Sequence, residues 1–246
     1  MNNLPSINVT YQRVLDLIRQ SYFAVFPVAL IYALGQYLIN RYIPFTPATT
    51  LFSVLNISLQ LIYASLLFCL AMEVIYQRYY QLPLNYLNIL RKSLERCGPF
   101  LLSMLLLFLP TLLMAALLFS LHFFFKFPTE GQIMSTGFEL MILIVIINII
   151  GFVYASVSAV FIINQNMKMI DGIKQSYILI KEYWFNTFFL LLTLGVVIWL
   201  LAWLFTLLVG RGILSQALVG FFILPLWPAL MVVHCYHLQH PENVAT

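Results

Sequence analysis

The side chains in this sequence that could do chemistry are few and widely spaced. His234, His237 and His240 recur at every third position near the C-terminus. Imidazoles at i and i+3 share a helix face and can bind a transition metal. No acidic or cysteine cluster accompanies them and the run stops at Pro241. They therefore read as a solvated helix end, and no metal or other cofactor is expected. His122 stands alone. Cys69, Cys97 and Cys235 lack metal or redox spacing and read as structural thiols. The sequence has no serine nucleophile elbow, no His-Glu-x-x-His pair and no phosphate-cradling glycine loop. An acid, a base and an electrophile cannot be assembled from this inventory, so catalysis is not expected.

A second group of polar residues lies inside long apolar runs. Ser53, Asn56 and Gln60 fall at three- and four-residue spacing, on one helix face. Asn148 is followed at helical spacing by Gly151, Ala155 and Ala159, a stripe that predicts close helix packing with an amide bonding across the contact. Glu73 and Glu139 are the acids at membrane depth. Glu73 lies near Arg78, which predicts an interfacial ion pair. Neither acid is central, and a proton-coupled transporter usually places an ionisable group deep in its bundle. Pro110, Pro225 and Pro228 predict kinks.

The elements that must carry these residues follow from composition. Of 246 residues, 63% are hydrophobic and 8% are charged, and the mean hydropathy is +0.96. A soluble domain carries about a quarter charged residues, so a soluble enzyme, a nucleic-acid-binding module and a disordered chain are excluded. Met1 to Asn8 contains no Lys or Arg, so the basic start of a secretory signal is missing. Six apolar runs are long enough for ~30 Å of hydrocarbon: Tyr22–Asn40, Leu51–Tyr76, Phe100–Phe119, Phe138–Ile163, Phe185–Val209 and Ser215–His237. In lipid they must be helices, because an open strand edge would leave its backbone polar groups unbonded. The expected fold is thus an all-α membrane protein, a single polytopic domain over residues 1–246.

The cations are one-sided. Arg13, Arg19, Arg78, Arg91, Lys92, Arg96, Lys168, Lys174 and Lys181 fall on one side of the six spans. Only Arg41, Lys126 and Arg211 fall on the other. The positive-inside rule then places both termini in the cytoplasm. Three basic stretches also resemble one another: Leu17-Ile18-Arg19-Gln20-Ser21, Ile89-Leu90-Arg91-Lys92-Ser93 and Gly172-Ile173-Lys174-Gln175-Ser176. Each reads as an amphipathic helix at the cytoplasmic interface, leading into a span. Tyr63-Ala64-Ser65 and Tyr154-Ala155-Ser156 form a second echo. The unit is a surface helix plus two spans, occurring three times over about 9–77, 82–163 and 168–240. Polar sites often form where such repeats meet.

The stretch from Met169 to Trp184, with Gly172, Lys174, Ser176 and Lys181, and the N-terminal Val9-Thr10-Tyr11-Gln12-Arg13 resemble the YciC family of bacterial inner-membrane proteins. The resemblance covers most of the chain and implies a bacterial cytoplasmic membrane. It implies no activity.

The expected function is non-catalytic: binding or moving lipid-like molecules, or supporting an envelope assembly. Arg19, Arg91, Lys92, Arg96, Lys174 and Lys181 are the candidate contacts to anionic headgroups or to a protein partner in the membrane or cytosol. Each such cation contributes about 1 kcal/mol near an anionic leaflet. Asn56, Gln60, Glu73 and Asn148 are the candidate intramembrane polar residues. A permease-type subunit with a cytosolic ATPase, and an intramembrane lipid enzyme, are the alternatives.

Overall fold

The computed structural model describes residues 7–43, 50–125, 130–210, 218, 220–222 and 224–240. At positions 40, 50–52, 110–112, 114–125 and 130–141 it describes the backbone alone. Lys126 and Arg211 lie outside the described residues, as do the side chains of Pro110, His122 and Glu139.

Seven helices account for nearly all of it: α1 (Ile7–Tyr42), α2 (Thr50–Tyr79), α3 (Tyr86–Phe125), α4 (Glu130–Ala155), α5 (Met169–Ile180), α6 (Trp184–Val209) and α7 (Leu226–Gln239). A π turn, Val160–Asn164, lies between α4 and α5. No strand occurs among the described residues. Five segments there are long and apolar enough to cross a membrane: Ile7–Ile39, Ser53–Tyr79, Ile142–Asn164, Trp184–Val209 and Gly220–Gln239. The remaining expected span, Phe100–Phe119, lies within α3, which is helical throughout it.

The ends of the helices have local causes. After α2, Gln81 turns left-handed (φ +54°) and the Leu82 amide bonds back to the Gln77 carbonyl at 2.8 Å. Pro83 then blocks further helix. After the π turn, Asn166 does the same (φ +58°), with the Met167 amide on the Phe161 carbonyl at 3.0 Å. The Asn85 side chain accepts the Asn88 amide and so caps α3. Residues 220–222 are helical, Leu224 and Pro225 form a turn, and α7 follows with Pro228 in its first turn, so the helix is interrupted at these prolines.

The expectation of three separate interfacial helices is corrected for two of them. The first two basic stretches are the leading turns of α1 and α3, which have 36 and 40 residues. At 1.5 Å per residue they measure about 54 and 60 Å, well beyond a hydrocarbon core of about 30 Å. The leading turns pack against the rest of the bundle: Val14, Leu17, Ile89 and the serines Ser21 and Ser93 are buried in it. Only the third stretch is a helix of its own, α5, ended by the break at Lys181–Tyr183.

Burial is concentrated at the end of the bundle that carries the nine cations. α7 is the central element there: all of Pro228–Cys235, His237 and Leu238 are buried, whereas α6 buries only Thr187, Leu190, Leu191 and Leu194. The outward faces of α4 and α6 expose Ile146, Ile149, Trp199 and Trp203. Such apolar exposure fits a hydrocarbon surrounding and would be a liability in water.

Candidate functional site

Two buried polar clusters hold the basic end together. The first surrounds Glu73 of α2, which is 3% exposed. Lys92 Nζ of α3 donates to Glu73 Oε1 at 3.0 Å and to the Asn164 carbonyl at 3.2 Å. Asn164 Nδ2 donates to Glu73 Oε2 at 2.7 Å, and Gln77 Nε2 donates to Oε1 at 3.1 Å. A carboxylate can only accept, so both amides must turn their nitrogens toward it. The π turn places Asn164, because its extra residue per turn rotates the end of the Ile142–Asn164 segment toward α2 and α3. The expected partner of Glu73 was Arg78. That side chain is exposed at the surface, and the ion pair is made by Lys92 instead. Lys92, a candidate headgroup contact, therefore points its ammonium inward.

The second cluster centres on α7. His234 and His237 are 4% and 0% exposed, which corrects the reading of a solvated helix end. Arg13 Nη1 lies 2.9 Å from His237 Nε2, and Thr10 Oγ1 lies 3.3 Å from Nδ1. Arginine only donates, so Nε2 accepts and the ring hydrogen is on Nδ1. His234 Nε2 lies 2.9 Å from Thr187 Oγ1, whose hydroxyl also reaches the Tyr183 carbonyl at 3.1 Å. These bonds tie α1, α6 and α7 together. Only His240 is exposed, and no group of three metal-binding side chains occurs among the described residues.

The other intramembrane polar residues are structural in their contacts. Asn56 is buried, donates to the Ile43 carbonyl and accepts Gln60 Nε2 at 2.9 Å, tying α2 to the end of α1. Asn148 Nδ2 bonds to the Ile144 carbonyl of its own helix at 2.7 Å. The stripe below it does not make the expected close contact at Gly151, where an added Cβ would meet nothing within 4 Å. A close approach is made instead at Gly172, missed in the sequence, where an added Cβ would lie 2.7 Å from Ile162 Cγ1.

That approach, together with Ser176 Oγ donating to the Tyr154 carbonyl at 2.6 Å, seats α5 on α4 and the π turn. Gly172, Ser176 and Ile180 form the buried side of α5, which leaves Lys174 and Lys181 exposed. Arg19 and Arg91 are also exposed and Arg96 is half-buried. Arg91 pairs with Glu95 at 3.1 Å on open surface.

Beneath α5 is an apolar cleft of about 540 Å³ between α3, α4 and α5. Leu107, Gly151, Ala155, Ile173 and Ile178 line it, and Lys174 and Tyr177 are on its wall. Tyr154 also borders a neighbouring polar cleft of about 430 Å³, formed with Lys181, Glu182, Tyr183, Trp184, Phe185 and Asn186. Leu107 likewise borders a larger apolar cleft of about 650 Å³ between α3, α4 and α6, which Asn148 lines. These volumes are in the ~300–1,000 Å³ range of small-molecule sites. The polar cleft opens at the start of α6, whose first-turn amides have no acceptor in their own helix and form the positive end of its dipole.

Against known proteins, the chain matches no family model, no curated protein and no solved structure.

Proposed function

We propose that this is a six-span protein of a bacterial inner membrane that holds a membrane lipid at its cytoplasmic end, both termini being cytoplasmic. The observation that carries this reading is the apolar cleft beneath α5 with Lys174 on its wall. An acyl chain suits the hydrocarbon lining, and a lysine at the rim suits a headgroup phosphate. The one-sided cations support the orientation. The threefold plan is supported by Ser21, Ser93 and Ser176, which hold the same place in the three basic stretches and are all 0% exposed. Membrane lipids are then the ligand, and no nucleic acid or cofactor takes part.

The test is the lipid that accompanies the protein when it is extracted into polymer discs and stripped of bulk lipid. Lys174→Gln with Lys181→Gln removes two cations. At about 1 kcal/mol each, this weakens retention by roughly twenty- to thirtyfold. Retention equal to that of the parent protein would refute the reading.

A further inference from the structure

The two clefts that share Tyr154 differ in kind. One is lined almost wholly by hydrocarbon. The other holds charges of both signs, Lys181 and Glu182, beside the rings of Tyr183, Trp184 and Phe185 and the amide of Asn186. Lys174, Lys181 and Glu182 make no ion pair with one another or with other described residues. The indole N–H of Trp184 at the cleft wall is buried without an acceptor. Tyr154 stands between the clefts, packed on Tyr177 and Trp184 at ring distances of 4.8 and 6.5 Å.

A ligand that matches this layout carries an apolar chain, then an anion, then a cation. We infer that the site selects a phospholipid whose headgroup bears an amine, with its phosphate at Lys174 and Lys181 and its ammonium at Glu182 beside the aromatic rings. A carboxylate in the headgroup cleft would repel a purely anionic lipid, and it gives the ammonium an acceptor. Aromatic faces add attraction for a cation. This inference rests on the lipid reading above and narrows it to one headgroup class.

The test offers the full-length protein mixed micelles with equal amounts of a phosphatidylethanolamine and a phosphatidylglycerol of the same acyl chains. Retained lipid is then counted by native mass spectrometry. The parent protein is expected to favour the ethanolamine lipid by about fivefold, the scale of one exposed charge contact. Glu182→Gln is expected to abolish that preference, retention of the ethanolamine lipid falling to that of the glycerol lipid. Equal or greater retention of the glycerol lipid by the parent protein would overturn the amine assignment and leave lipid binding standing. So would a preference that survives Glu182→Gln. Retention of neither lipid would overturn both.

Discussion

Replacing Lys92 by Met strands a buried charge. Glu73 is 3% exposed and its cationic partner is Lys92, 3.0 Å away. The methionine keeps most of the lysine's volume and apolar contact but leaves the carboxylate with only the amides of Asn164 and Gln77. Removing one partner of a buried pair costs about 3–5 kcal/mol, because the remaining charge keeps its desolvation penalty. The Lys92 side chain is 27% exposed, so water reaches part of the site and the lower end of that range, about 3 kcal/mol, is expected. Glu73→Gln should cost less, about 1–2 kcal/mol: the stranded ammonium is on a flexible stem that can swing outward. In the double variant no unpaired charge remains, so it should be less destabilised than the sum of the singles by at least about 1.5 kcal/mol. Reversible unfolding in mixed micelles, followed by tryptophan fluorescence, measures the cycle. A Lys92→Met cost below about 1 kcal/mol, or strict additivity, would refute the buried-pair account and return Lys92 to the membrane surface.

Three further outcomes can be checked by the same unfolding measurement or by simple binding. His237→Phe should cost about 1–3 kcal/mol, since the Arg13 and Thr10 groups that meet the ring lose their partner in a buried place; a neutral result would restore the solvated helix end. Gly172→Val should lift α5 from Ile162 and reduce lipid retention, whereas Gly151→Ala, whose added methyl meets no other side chain, should not lower stability. Arg91→Gln should change stability by no more than about 0.5 kcal/mol, because its pair with Glu95 is 82% and 59% exposed.

What could be read in the sequence depended on range. Helices and their approximate spans followed from unbroken apolar runs, because a bilayer admits little else. The break before α7 was announced by Pro225 and Pro228. Glu73 was recognisable as a paired acid, but its partner was not. Arg78 is five residues away along the chain, whereas Lys92 reaches it only because α2 and α3 fold back on each other. The histidines were misplaced for a similar reason: a polar residue every third position looks solvated until the starts of α1 and α6 are seen to cover that face. Serine at the same place in three basic stretches was visible, but only the fold shows those serines buried. Gly172 stood in the most distinctive stretch of the chain without a stated role. A glycine four residues before a serine, both on the face opposite a lysine, was the available signal for helix docking.

A density map of the protein in discs of its native membrane tests the lipid claim most directly. The account predicts a continuous acyl-chain feature between Leu107, Gly151 and Ile178, with its polar end beside Lys174 and Lys181. A cleft closed by protein side chains, or with no lipid density in well-resolved surroundings, would contradict it.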